Sequence, residues 1–505
     1  MPYVTYSYNS NNELTQKINN DTGLKTIYGE NNSVSVYKTS DNTLVQSYTE
    51  TETEADEKNN VQAEKEVTET HFGATYTSVI KDNSISYTAN NNIVEYSYTE
   101  NNNKVTADSV KYNNSTAISS AYQYNDDYSV TSKALNYGND NISILNDYDN
   151  KSRITTTGYD APQVYYSYDS NDQLIRSDNE VLNYSTTFAY DDRGNILSKN
   201  KYTYTKNDNI TSNPTESTSF TYSNDGWNDK LVKINDDALT YDANGNVLTY
   251  GNKSFTWSSG RNLKSIVDGE NEYSYTYDES GIRTSKTVNG LTTNYNTKDG
   301  VILSQTDGTN TMYFQYDTNG VPLGFILNGT QYLYLTNQLG DVISITDTQG
   351  NELVQYEYDE WGAIGSVITM HDTAEEEKLA DINPLRYRGY YYDNETGYYY
   401  LQSRYYDANI CRFINSDLYD MAGAASQISE LSNLMSYCYN NPINSSDMYG
   451  DSSWVPMSKG WSYRICPENP DLRIQRHIHV KKMEINFRKK MMEALMIKVV
   501  PHPIQ

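Results

Sequence analysis

The sequence predicts an all-β protein assembled from a repeated hairpin, and three observations carry the prediction. Tyrosine fills 51 of 505 positions while hydrophobic residues make up only 36%; Tyr and Thr favour strands, and Asn, Asp and Gly favour the turns between them. A Y-D-x-x-G motif recurs along the chain at the spacing of one hairpin. Alternating stretches such as "SYTYD" and "NVLTYG" accompany the motif, with the two-residue period of a strand. The composition is too aromatic for disorder and too polar for an aliphatic core, so the expected product is antiparallel sheet with wetted faces.

The motif reads "YDDRGN" from Tyr190, "YDANGN" from Tyr241, "YDESGI" from Tyr277, "YDTNGV" from Tyr316, "YDEWGA" from Tyr358 and "YDNETG" from Tyr392. Degenerate copies begin at Tyr98, Tyr124, Tyr148, Tyr168 and Tyr222, and from Tyr98 to Tyr241 the intervals are 26, 24, 20, 22, 32 and 19 residues. In each unit Tyr ends a strand, Asp accepts from backbone N–H groups of the turn, and Gly supplies the positive φ that closes the loop. One hairpin cannot bury its own face, so neighbours must stack.

Three segments depart from this pattern. Residues 50–70, "ETETEADEKNNVQAEKEVTET", are read as an acidic insertion that interrupts the strands, a solvated loop or helix. Residues 371–383 read as a short helix or loop, and 420–438 as an amphipathic helix from the spacing of its apolar positions. The three cysteines, 411, 438 and 466, have no C-x-x-C spacing, which predicts no disulfide framework, no metal site and no cofactor. The N-terminus has no basic stretch followed by an apolar one, and no run of about 18 apolar residues occurs. Neither a signal peptide nor a membrane span is therefore expected in this chain.

The Y-D-x-x-G-N units, together with "PLRYRGYYYDNETGYYYLQSRYYD", "RFINSD" and "SYCYNNPINSSDMYG", resemble the RHS/YD-repeat proteins and their RHS-repeat-associated core domain. The resemblance implies a β-cocoon or shell, 1–383, closed at one end by a core plug, 384–450, around a variable C-terminal toxin tip, 451–505. It further implies an extracellular or cell-wall protein that delivers the tip in competition between bacteria, with that tip as its cargo and an immunity protein as partner. No enzyme activity is expected of the wall itself. Arg386, Arg388 and Arg404 are interleaved with plug tyrosines, which predicts cation–π stacking and pairing with Asp393 or Asp407, or else ordinary strand-face ion pairs. The plug tyrosines are expected to keep their hydroxyls satisfied beside water. The family commonly has Asp-Pro where this chain has Asp407-Ala408, and often Gly where it has Cys411. Its boundary signal D-P-x-G is here Asp447-Met448-Tyr449-Gly450. Asp447 is a candidate for the cleavage boundary, with a turn role as the alternative; no second copy of the motif that self-cleavage would need is visible.

After Gly450 the chemistry changes. Residues 451–505 carry ten Lys/Arg against five Asp/Glu, a net of +5, which leaves −32 on the first 450 residues of a chain whose total is −27. A basic segment attached to an acidic container suits electrostatic retention. Within it, "RIQRHIHV" places His477 and His479 on one side of a strand with Arg476 opposite, an acid–base pair for a metal-free ribonuclease or two ligands of a metal nuclease, with a plain polar strand as the alternative. The last 25 residues match neither the β palette nor a compact domain, which suggests a shifted reading frame near Lys482; a fragment of a longer protein and an intact short shell are both open alternatives for the chain as a whole. A carbohydrate- or wall-binding repeat protein without toxin activity is the competing reading, since exposed tyrosines suit stacking on sugars.

Overall fold

The computed structural model describes residues 4–450 apart from 21–22, 30–32, 54–62, 103, 207–208, 225–227, 299 and 418–432, and beyond them the backbone of 455–456, 461–466 and 477–482. Thirty-four strands, β1 (Val4–Tyr8) to β34 (Ile364–Thr369), form one antiparallel sheet. Each strand pairs with its chain neighbour, as in the ladders Tyr184↔Thr203 and Tyr273↔Val288. The result is a long meander, with no pairing between its first and last strands among the described residues.

The repeat builds this meander in the predicted way. Asp191 Oδ1 accepts from the N–H groups of Arg193 and Asn195, each at 2.9 Å; Asp242, Asp278, Asp317 and Asp359 repeat the arrangement. Gly194 and Gly245 close their turns at φ 73° and 80°, a region open to glycine without steric cost. The register slips at the repeat tyrosine itself, between Ala189 and Tyr190, Thr240 and Tyr241, and Thr276 and Tyr277. Such bulges bend and twist the strand, so curvature enters once per repeat.

The tyrosine has a second task that composition did not disclose. Its hydroxyl donates to the carbonyl of the sixth residue after the previous repeat's aromatic position: Tyr168 to Ile154 at 2.7 Å, Tyr190 to Leu174 at 2.5 Å, Tyr222 to Ile196 at 2.9 Å and Tyr277 to Leu263 at 2.8 Å. Trp257 does the same through its indole N–H, to Val247 at 2.6 Å. These sixth residues are the buried ones, Ile154, Leu174, Ile196, Val247 and Leu263. Each of these five units therefore supplies one core side chain and is tied to the next by one aromatic donor.

The sheet winds back over itself. Tyr76 in β7 (Ala74–Lys81) stacks on Tyr313 in β29 (Thr311–Tyr316), ring centroids 3.8 Å apart, and the Tyr87 hydroxyl donates to the Tyr316 carbonyl at 2.8 Å. Between these layers β29 is sandwiched: Tyr313 packs with Ile85 and Val94 on one side, while Met312 and Phe314 join the core that holds the plug. The same alternation divides Leu333 and Leu335 from Tyr332 and Tyr334. The expectation of wetted sheet is therefore corrected for this region; β30 (Pro322–Leu327) and β32 (Val342–Thr346) are buried throughout, because they have a neighbour on both faces.

The acidic stretch 50–70 is also corrected. Strand β5 (Leu44–Thr53) and β6 (Glu64–His71) run through it in unbroken register from Gln46↔His71 to Thr53↔Glu64. Alternation of Thr with Glu suits a strand, and Lys65 pairs with Glu50 and Glu52; 54–62 lie outside the described residues. Helix α1 (Ala374–Ile382) fills the segment before the plug and starts in a capping box between Thr373 and Glu376, two orphan N–H groups satisfied reciprocally. The helix expected over 420–438 falls mostly outside the described residues; its described end, 433–438, holds turns and an isolated bridge from Ser436 to Arg412 instead.

Candidate functional site: the plug lock and the chain exit

Four short strands form the plug sheet: β35 (Tyr391–Asp393), β36 (Tyr398–Tyr400), β37 (Tyr405–Asp407) and β38 (Arg412–Phe413). Tyr399 faces Tyr392 on one neighbour and Tyr406 on the other. These tyrosines are not beside water, which corrects the expectation. Tyr398, Tyr399, Tyr400, Tyr405 and Tyr406 are at most 3% exposed, and most of their hydroxyls are used on the wall. Tyr399 donates to Gly362 O and Tyr406 to Trp361 O, both at 2.8 Å; Tyr405 bonds Tyr277 at 2.8 Å, and Tyr391 donates to Gln305 at 2.7 Å. A buried phenol gives a large apolar area and one directional bond, so the dense tyrosine run is a dry, specifically docked surface.

At the centre of that surface is an arginine the sequence reading did not select. Arg283 is the sixth residue after Tyr277, where the units that begin at Tyr148, Tyr168, Tyr190, Tyr241, Trp257 and Tyr358 carry Ile, Leu or Val. It is fully buried and forks onto Asp393, Nη1 to Oδ2 at 2.5 Å and Nη2 to Oδ1 at 3.0 Å. The rings of Tyr275, Tyr295, Tyr391, Tyr400 and Tyr405 surround its guanidinium, the nearest centroid, Tyr400, at 4.2 Å. Lys286 adds a second cation, 3.0 Å from Asp393 and 2.8 Å from Glu395. Burial alone would raise the Asp393 carboxyl, but Arg283 and Lys286 hold it below the usual carboxylate range. The break in the apolar pattern at position 283 was the signal available in the sequence.

The predicted arginines take other partners. Arg388 meets Asp341 of the wall at 3.4 Å and also donates to Pro442 O. Arg386 stacks on Tyr392 at 4.5 Å and donates to the carbonyls of Asn383 and Ala380 at 3.1 Å. Neither pairs with Asp393 or Asp407. Asp407 accepts from Asn409 N–H at 3.0 Å, and burial pushes its carboxyl up to about 6. Its strand partner Arg412 points to Tyr222 OH and Asp229 O instead, at 2.8 and 2.7 Å.

Arg404 stands where the chain leaves the plug. Its Nη2 lies 3.0 Å from Asp447 and 3.2 Å from Asp417, its Nη1 donates to Leu434 O at 3.2 Å, and its Nε donates to Gly450 O. The guanidinium also lies 3.6 Å over Phe413. Asp447 is fully buried and its N–H donates to Tyr390 OH at 2.8 Å. Asp417 is thus a second carboxylate at the boundary, which the motif search missed because Asp417-Leu418-Tyr419-Asp420 lacks both Pro and Gly.

In the tail, β41 (His477–Lys482) pairs with β40 (Trp461–Cys466) in the register Cys466↔His477 and Arg464↔His479. Arg476 lies outside the described residues. Among the described residues no group of three His, Cys, Asp or Glu could hold a metal ion, and no helix is long and apolar enough to cross a membrane.

The family model described as Teneurin YD-shell matches residues 1–444. A tRNA3(Ser)-specific nuclease WapA of Bacillus spizizenii is 36% identical over 241 residues, 46% of this chain and 10% of the relative. The tRNA nuclease WapA of Bacillus subtilis strain 168 is 34% identical over the same extent, with the same coverage of both chains. This chain thus spans about a tenth of the curated relatives it matches. Among solved structures, TcdB2-TccC3-TEV superposes with a TM-score of 0.56 at 15% identity, over 88% of this chain and 27% of that one. A Photorhabdus luminescens Tc holotoxin pore gives a TM-score of 0.55 at 14% identity, over 94% and 28%. At these identities the structures share the fold.

Proposed function

The chain belongs to the teneurin YD-shell family, and from that premise we propose that it forms part of the wall of a toxin shell that retains its own C-terminal segment, residues 451–505, as cargo. The observation that carries the reading is the exit at Gly450, where one buried arginine, Arg404, grips the last plug carbonyl and the two carboxylates Asp417 and Asp447. The charge contrast supports it, since a +5 segment follows a −32 wall and opposite charge favours retention. On this reading the wall contributes no chemistry; it acts outside the producing cell or at its wall, delivers the tip in competition between bacteria, and an immunity protein protects the producer. The tip is a nucleic-acid-cleaving effector, with His477 and His479 as its acid–base pair, Arg476 beside them and Asp447 at the boundary where it is released. The tRNA nucleases among the relatives support that choice of substrate.

Limited proteolysis of the full chain tests the reading. With thermolysin, residues 451–505 should survive as long as the wall at low salt and be lost first at high salt, where screening weakens retention. Loss of the segment at the same early rate in both salts would overturn containment. If the full chain instead binds polysaccharide saturably, the wall-binding alternative takes its place. RNA cleavage by the released segment, abolished by His477→Ala, is the companion test for the tip.

A further inference from the structure

One turn of the wall bears directly on the plug. Between β33 (Glu352–Tyr358) and β34, Asp359 Oδ1 closes the turn by accepting from the N–H groups of Trp361 and Ala363, each at 2.9 Å. The carbonyls of Trp361 and Gly362 hold the plug hydroxyls of Tyr406 and Tyr399, both at 2.8 Å. The ring of Tyr387 packs so closely on Gly362 that a Cβ there would clash with it. Lys199 of β18 (Ile196–Thr203) lies 3.3 Å from Asp359 and 3.9 Å from the Sγ of the plug residue Cys411.

In the middle of this turn is Glu360, and it is buried. Asp192, Ala243 and Glu279 occupy the same position in three other repeats and are exposed, where a charge keeps its water. Glu360 is only 4% exposed, and neither of its carboxylate oxygens has a hydrogen-bond partner among the described residues. A carboxylate without water or donors is far costlier than the neutral acid. Burial, and then the neighbouring Asp359, push the Glu360 carboxyl up to about 7 against the pull of Lys199 and Lys201. Tyr166 of β15 (Val164–Tyr168), Tyr184 and Tyr190 of β17 (Tyr184–Tyr190), and Cys411 also feel its charge. Burial lifts all four above their ordinary values, so they stay neutral near pH 7. Arg388, Asp341 and Glu357 line the same cavity as Glu360, and there Arg388 is paired with Asp341.

We propose that this turn is a pH-sensitive latch for the plug: a proton on Glu360 keeps the turn dry and closed under Tyr399 and Tyr406, and release of that proton to solvent loosens the contact. The direction follows from linkage. Glu360 binds its proton more tightly in the closed turn than in an open one, where a glutamate titrates at about 4.3. The latch is therefore fully set below about pH 4 and is lost as pH rises through about 7. The proposal stands on the contacts between plug and wall and does not require residues 451–505 to be cargo.

Hydrogen exchange of the full chain, read by mass spectrometry at pH 5 and pH 8 and corrected for the intrinsic rate at each pH, tests the latch. Residues 359–363 and the plug strands β36 and β37 should lose about tenfold or more in protection over this interval. That loss should exceed any in the hairpin of β8 (Ser84–Ala89) and β9 (Asn92–Asn101). Glu360→Gln keeps the shape and removes the charge, so its loss should be about tenfold smaller. Asp407 titrates in both chains and cancels in the comparison. If Glu360→Gln does not fold, Glu360→Met takes its place. Equal loss in the folded neutral variant, a wild-type profile flat between the two pH values, or a loss shared evenly by the β8–β9 hairpin overturns the proposal.

Discussion

Arg283 and Asp393 meet as a bidentate ion pair with no exposed surface on either side chain, one from a wall repeat and the other from the plug. A cation placed where its repeat would otherwise carry an aliphatic residue is expensive to desolvate, and only a matched carboxylate makes the position viable. Plug and wall therefore recognise each other through a pair that neither could leave unmatched. Removing one partner of such a pair costs roughly 3–5 kcal/mol, so Asp393→Asn should lower the denaturation midpoint strongly. The double variant Arg283→Leu/Asp393→Leu should recover much of that loss, and a double-variant cycle in urea measures the coupling. Additive losses would count against the lock. Because the Asp393 carboxyl is held below its ordinary range in the fold, its contribution is present above about pH 4 and is lost as pH falls through the lowered folded value.

Asp407 makes the opposite prediction. Its carboxyl is pushed up to about 6 by burial, against about 3.9 in an unfolded chain. The folded state then holds the proton more tightly, so this group's contribution to stability is full below about pH 4 and lost as pH rises through 6. Asp407→Asn keeps the acceptor for Asn409 and removes the charge. It should raise stability at pH 7 by up to about 3 kcal/mol and by nothing at pH 3.5, as read from melting curves at the two pH values.

Much of this fold was legible. The turn chemistry of Asp191 and Gly194 and the one-hairpin period follow from the residues of a single repeat. The tyrosine stitches were hidden because the carbonyl that Tyr190 reaches belongs to Leu174, in the preceding unit. The layering of β29 was equally hidden, since its neighbours Tyr76 and Ile85 lie more than two hundred residues away in the chain. At the site, the plug arginines were found by type but not by partner. Proximity in sequence suggested Asp393 and Asp407 for them, whereas Arg388 pairs with the wall and Arg404 with the boundary aspartates.

The layers also impose a demand on Gly350. A Cβ at this position would sit 2.4 Å from Gly138 N and 2.6 Å from Ala117 O, at a φ of +86°. Gly290 has a similar φ, +89°, with nothing within 4 Å of a built Cβ. Gly290→Ala should therefore cost only the backbone strain, about 1–2 kcal/mol. Gly350→Ala should cost distinctly more, because backbone must move where the sheet crosses itself. Equal losses in thermal melts would mean that the two layers do not press together there.

Arg404 offers the most direct handle on the exit. Lysine would keep the charge but lose the fork that reaches Asp417, Asp447, Leu434 O and Gly450 O together. A hydrogen bond to a charged group contributes about 1.5–3 kcal/mol, and nicking of a locally opened segment follows the population of the open form. Loss of one such bond should therefore raise the rate of thermolysin nicking just beyond Gly450 by about ten- to a hundredfold, while the melting temperature of the wall changes far less. Nicking of Arg404→Lys at the wild-type rate would remove Arg404 from the exit and leave it a packing residue over Phe413. The faster rate in the variant, followed by mass spectrometry of the released fragment, would make the grip on Gly450 the step that holds the tail in place.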